Sequence, residues 1–158
     1  MSGGPPFENT GRRNPAHGVH VQSGRPNWVL LTVTTEGRQP WLATIAAHRF
    51  IHQTWLQATA WLVSDYLLMP DHLHCFCAPH DLNFTIEQWI TYWKREFRRS
   101  HGRAHWNFQS RGWHHRLRDD ETYSDKWLYV QENPVRKGLV RRIDDWPYKG
   151  RVHDVRWS

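Results

Sequence analysis

The stretch Met69-Pro70-Asp71-His72-Leu73-His74-Cys75-Phe76-Cys77 constrains the folding of this chain more than any other. An apolar run over residues 61–69, broken by Ser64 and Asp65, enters Pro70-Asp71, and a second short run leaves it. Two apolar segments of strand length around a Pro-Asp turn read as a β-hairpin. Side chains alternate along a strand, so His72, His74 and Phe76 share one face while Leu73, Cys75 and Cys77 share the other. Two imidazoles about 7 Å apart on one pleated face can grip a single divalent ion. Ordinary packing of two histidines is the competing reading of the same spacing.

The flanking elements follow from periodicity. Residues 28–35 alternate, with Val29, Leu31 and Val33 on one face and Thr32 and Thr34 on the other, which predicts a first strand. Residues 44–60 carry Ile45, Ile51 or His52, Trp55 and Ala58 on one helical stripe, with the remaining His and Gln residues in solvent. Thr85-Ile86-Glu87-Gln88 has the capping-box pattern, so a second helix starts there and ends at Gly102. Its buried stripe is Ile86, Trp89 or Ile90, Trp93 and Phe97. Residues 113–118 make a plausible fourth strand. The order strand, helix, strand, strand, helix, strand is the ferredoxin-like βαββαβ pattern: an α+β antiparallel sheet with both helices on one face. Leu73, Cys75 and Cys77 then face the helices, and His72 and His74 face the opposite, uncovered side. The acidic run Asp119-Asp120-Glu121 favours the start of a further helix through about residue 132. Tyr123, Trp127 and Val130 form its apolar stripe; Tyr129 lies off the stripe, on the same face as Asn133. Pro134 disfavours helical geometry at the residue before it, so Asn133 is expected on a kink or frayed turn.

At 158 residues the chain suits one domain with one core. Residues 1–26, rich in Gly, Pro, Asn and Arg, read as a mobile N-terminal tail; the domain is expected over 27–148, with a C-terminal tail over 149–158. The formal net charge of +6 favours a polyanionic partner. Arginines outnumber lysines 17 to 4; Arg pairs bidentately with phosphate, although a bias in the coding sequence enriches Arg equally well. Eight basic residues and one acid, Glu96, lie between Lys94 and Arg118, interleaved with Trp106, Phe108 and Trp113. That mixture suits single-stranded nucleic acid, and a solvated helix face is the plainer alternative for part of it. Most of the 11 tryptophans are expected in the core. Cys75 and Cys77 have neither disulfide geometry nor zinc-site spacing and read as small buried residues. No apolar run approaches 18 residues and no signal-peptide pattern opens the chain, so a cytoplasmic protein with no membrane contact is expected.

His-hydrophobe-His after Met-Pro-Asp resembles the metal strand of the HUH single-tyrosine nucleases, and more closely that of the REP-associated tyrosine transposases. The segment from Trp127 to Val140, with Tyr129, Asn133-Pro134-Val135, then Arg136-Lys137 and Gly138-Leu139-Val140, resembles that family's signature after its fourth strand. Asp145-Trp146-Pro147-Tyr148 resembles a second family segment, after which members commonly carry Ser-Ser where this chain has Lys149-Gly150. The resemblance spans residues 18–148.

The resemblance implies a DNA transposase whose C-terminal helix is catalytic. Carried over residue by residue, His72 and His74 are metal ligands, Asn133 is a third ligand, and Tyr129 is the nucleophile. The implied cofactor is Mg²⁺ or Mn²⁺; imidazole ligands argue for the softer of the two. The implied substrate is single-stranded DNA folded into hairpins of repetitive extragenic palindromes, cleaved through a 5′-phosphotyrosine. Candidates for contact with DNA are Lys94, Arg95, Arg98, Arg99, Arg111, Arg116, Arg118, Arg136 and Lys137. Related enzymes act as monomers or homodimers. Two rivals remain: a metal-dependent nuclease in which water attacks and Tyr129 is structural, and a non-catalytic or domesticated hairpin-binding protein.

Overall fold

A computed structural model describes residues 27–118 and 122–155. The expected N-terminal tail over 1–26, the acidic run Asp119-Asp120-Glu121 and residues 156–158 lie outside the described residues. The described elements run β1 (Val29–Thr35), α1 (Ile45–Gln57), β2 (Trp61–Leu68), β3 (His72–Pro79), α2 (Ile86–His101), β4 (Phe108–Arg116), α3 (Tyr123–Gln131), α4 (Asn133–Arg136) and β5 (Lys149–Arg151). All neighbouring strands are antiparallel, in the order β4-β1-β3-β2-β5. The first four strands thus reproduce the ferredoxin-like arrangement expected from sequence, and β5 extends its β2 edge.

Local chemistry sets both helix starts and the end of α2 where the sequence placed them. Helix α1, by contrast, stops at Gln57, three residues short of the expected end, and Ile45, expected on its buried stripe, is exposed in the first turn. Thr44 caps α1, its hydroxyl accepting from the Ala47 amide at 3.2 Å. The α2 capping box is complete: Thr85 Oγ1 accepts from Gln88 N at 3.1 Å, and Gln88 Oε1 accepts from Thr85 N at 2.9 Å. Gly102 closes α2 with φ +63°, a conformation that costs a side chain dearly. Ile86, Trp89, Ile90, Trp93 and Phe97 are all buried, as the stripe predicts.

One sheet face carries the main core. Leu31, Val33, Leu73, Cys75 and Cys77 meet Ile51 and Trp55 of α1 and Trp89, Trp93 and Phe97 of α2. Cys75 and Cys77 are free and buried. The opposite face differs from expectation, because α3 and the C-terminal segment cover part of it. Leu67, Met69, Val130 and Trp146 form one cluster there, and Phe76, Ala78 and Trp28 pack with Tyr123 and Trp127 in a second. Tyr123 pins the start of α3 to β2, its hydroxyl lying 2.5 Å from Ser64 Oγ and donating to Asp65 Oδ2 at 2.7 Å.

Two boundaries are corrected. Strand β4 begins at Phe108, five residues before the expected start, and pairs with β1 through a register shift between Val33 and Thr35. Its residues are almost all exposed, so no alternation marks an edge strand like this one. The expected tail after 148 opens instead with β5, in which Lys149, Gly150 and Arg151 pair with Leu67, Tyr66 and Asp65. Its anchors are nonlocal. Arg151 Nη2 donates to Asp65 Oδ2 at 3.1 Å, and a Cβ at Gly150 would meet the Tyr66 hydroxyl at 3.0 Å. That close approach favours a glycine at position 150. Among the described residues no helix is long and apolar enough to cross a membrane.

Candidate active site

Strand alternation places His72 and His74 on the face that α3 partly covers, and neighbouring strands supply their partners. Register sets Thr32 opposite His74 and Thr34 opposite His72. Thr32 Oγ1 and His74 Nδ1 share a hydrogen bond of 2.9 Å. His72 Nδ1 lies 2.8 Å from Asp71 Oδ1, and the other Asp71 oxygen accepts from Arg38 Nε at 3.0 Å. Both Nδ1 atoms are therefore engaged, which leaves each Nε2 for a ligand. The ring centroids are 5.0 Å apart with planes at 86°.

Electrostatics keep His74 in the form a metal needs. Burial, then the charges of His72 and Arg136, push His74 down to about 4, so its imidazole is neutral at physiological pH. Burial pushes the Asp71 carboxyl up, but hydrogen bonds and charges from His72 and Arg38 outweigh this and hold it below its ordinary value. A carboxylate behind a histidine fixes the ring's tautomer and orientation, as in many metal sites.

Helicity is interrupted at Glu132, just before Asn133-Pro134, but Asn133 itself opens a helical turn rather than lying on a frayed one. Helix α3 ends at Gln131, and after Glu132 a separate turn, α4, starts at Asn133. Tyr129 is 62% exposed, so packing against a core does not account for it. Asn133 Oδ1 accepts from Arg136 Nη2 at 2.8 Å, and the Tyr129 carbonyl accepts from the same nitrogen at 2.9 Å. The Arg136 guanidinium carbon stands 4.2 Å from the centroid of the Tyr129 ring. Arg136 thus links Tyr129 and Asn133, and its charge reaches His74.

Imidazole nitrogens suit a first-row divalent ion such as Mn²⁺ better than Mg²⁺, which prefers oxygen. Among the described residues no three His, Cys, Asp or Glu side chains gather into a metal site. The set expected from sequence, His72, His74 and Asn133, has an amide rather than a carboxylate as its third member.

The other expected contacts scatter. Arg95, Arg98 and Arg99 project from α2 on the helix side of the sheet, away from the histidines; Arg95 and Arg99 lie 3.8 and 3.2 Å from Glu96. Lys94 is half-buried and donates to the Gln109 carbonyl at 2.7 Å, tying α2 to β4. Arg111, Arg116 and Arg118 are exposed on or just after β4, and Lys137 is exposed after α4. Trp106 and Phe108 pack on Trp41, which leaves Trp113, 61% exposed, as the accessible ring of the three expected to stack on bases. His115 shares the face of Trp113, while His114 points to the helix side and meets Glu87 at 3.1 Å. Thr32, Arg38 and Asp71 were not predicted as site residues. Asp71 had a local signal, since it directly precedes His72; Thr32 could be found only from the strand register.

No family model matches the chain. It is 31% identical to a Haemophilus influenzae protein named as a candidate REP-associated tyrosine transposase, over 56% of this chain and 58% of that protein. It is 28% identical to a REP-associated tyrosine transposase of Escherichia coli K12, over 59% of this chain and 56% of that protein. The chain thus spans little more than half the length of the curated relatives it matches. A solved structure of a REP-associated tyrosine transposase bound to a REP hairpin superposes with a TM-score of 0.66, covering 90% of this chain and 82% of that one at 18% identity. These likenesses bear out the fold and the family resemblance drawn from the two motifs.

Proposed function

We propose that this protein is a DNA-nicking and joining transposase of the REP-associated tyrosine kind, acting on single-stranded hairpins. The observation that carries the reading is an exposed phenol, Tyr129, tied through Arg136 to Asn133, together with two imidazoles whose Nδ1 atoms are already engaged. The names of the relatives and of the solved neighbour supply the substrate class.

Tyr129 attacks the scissile phosphorus. A bond forms from its phenol oxygen to phosphorus, and the bond from phosphorus to the 3′ oxygen breaks. The phenol loses a proton and the departing oxygen gains one, leaving a 5′-phosphotyrosine and a free 3′-OH. The link conserves the phosphodiester, so rejoining to another 3′-OH needs no nucleotide triphosphate. A free phenol titrates near 10 and is a weak nucleophile at neutral pH. When bound by His72, His74 and Asn133, a divalent ion supplies polarisation of the phosphate and stabilisation of developing charge. Asp71 and Thr32 hold the imidazoles in one orientation. Exposed cations on β4 and after α4 suit the phosphates of the substrate.

The test incubates the protein with Mn²⁺ and a labelled single-stranded hairpin, then separates products under denaturing conditions. Wild type should give a protein–DNA adduct, and Tyr129→Phe should give neither adduct nor nick while keeping its melting temperature. Nicking that survives in Tyr129→Phe would assign the attack to water. Hairpin binding without an adduct in the wild type would assign a binding protein.

A further inference from the structure

The Arg136 side chain, although 39% exposed, folds back onto its own helical segment, with its guanidinium donors engaged there. Nη2 donates to Asn133 Oδ1 and to the Tyr129 carbonyl, at 2.8 and 2.9 Å. Nη1 donates to Glu132 Oε1 at 3.2 Å, and the guanidinium lies over the Tyr129 ring at 4.2 Å. One cation therefore holds the amide oxygen and the phenol ring of the candidate site. A divalent ion drawing on the same groups would meet that positive charge at close range, where like charges repel strongly.

We propose that Arg136 is the resident counter-cation of this site: it positions Asn133 and Tyr129 in the ion-free protein and is displaced when the ion binds. The inference rests on the metal reading above. Arg136 leaves Asn133 Oδ1 as the ion binds, and Tyr129 loses its stacking partner in the same movement. The freed guanidinium then has a planar fork of donors to offer an incoming phosphate. The order of events becomes ion first, DNA second. Arginine suits this role better than lysine, because one planar group satisfies the amide, the carbonyl and the ring face together.

The experiment titrates Mn²⁺ into the full DNA-free chain and reads free ion by electron paramagnetic resonance. It compares wild type, Arg136→Gln, Arg136→Lys and the double variant His72→Ala/His74→Ala, each checked for an unchanged thermal melt. Arg136→Gln should bind Mn²⁺ about tenfold more tightly than wild type, as expected on removing one competing charge. Arg136→Lys, which keeps the charge, should stay near wild type, and the double histidine variant should not bind. Equal or weaker binding by Arg136→Gln overturns the proposal, as does an Arg136→Lys affinity matching Arg136→Gln. Those results leave the metal reading standing so long as the histidine variant loses the ion. If wild type binds no Mn²⁺, or the histidine variant binds it equally well, the metal reading falls and takes this inference with it.

Discussion

His48 and His52 stand four apart on a helix, and His72 and His74 stand two apart on a strand. Either spacing places two imidazoles on one face, and either is compatible with a shared metal ion. The sequence left His48 in solvent and gave His52 as an alternative to Ile51 on the buried stripe; in the structure both histidines are partly buried and bound to one hydroxyl. Tyr66 Oη lies 2.6 Å from His48 Nε2 and 2.9 Å from His52 Nδ1. Tyr66 is 1% exposed, and burial pushes its phenol well above its ordinary value, so it stays a neutral partner to both rings. The first pair is thus joined through a protein atom in the gap between its rings. In the second pair the partners sit behind the rings, on Nδ1, and the gap is left to a ligand. Spacing counts the imidazoles; the placement of their partners decides whether they build a core or a site.

The comparison can be broken by exchanging the behaviour of the two pairs. His74→Ala should abolish detectable hairpin cleavage, a loss of at least about 10³-fold if it removes a metal ligand, measured as adduct formed with Mn²⁺. Cleavage that survives in His74→Ala would place the second pair beside the first, as packing. Asp71→Asn keeps the volume but weakens the hold on His72, and should lower Mn²⁺ affinity about 10–100-fold. Tyr66→Phe strips both nitrogens of the first pair and should cost about 1–2 kcal/mol in urea unfolding, with no change in Mn²⁺ affinity. A loss of Mn²⁺ binding there would show that the first pair is also a site.

Acid should sharpen the contrast further. Burial lowers His48 and His52 and pushes His153, whose Nδ1 accepts from the Val63 amide at 3.1 Å, down to about 4. The unfolded chain takes up these protons near 6.5, before the folded one does. The stabilisation is therefore complete above about pH 6.5 and is lost as pH falls toward 4. His153 alone should contribute about 1 kcal/mol to the difference between pH 7 and pH 4.5, allowing for its partial exposure. His153→Asn should flatten that part of the urea-midpoint profile; an unchanged slope would mean the ring is not held neutral by the fold.

Much of this was open to reading from the chain itself, and the limits have a pattern. The α2 capping box, its apolar stripe and the Gly102 stop are local, because each depends on residues within one or two turns. The β3 alternation that separates His72 and His74 from Leu73, Cys75 and Cys77 is local too. Strand β4 escaped in part because an exposed edge carries no burial pattern, and β5 escaped because three residues, Lys149–Arg151, hold too little periodicity to signal a strand.

The sequence by itself determined the order of the elements through α3, the ferredoxin-like class, the two histidines on one face and the interruption of the helix before Pro134, since backbone periodicity and proline sterics act over a few residues. Only the tertiary structure decided that Thr32 stands behind His74, that Tyr66 lies between His48 and His52, and that Arg136 folds back onto Tyr129 and Asn133. The partner of a polar atom is fixed by strand register and by the packing of distant elements. His74 therefore carries in its own neighbourhood no record of which nitrogen will be left to bind, whereas His72 has its partner Asp71 beside it in the chain.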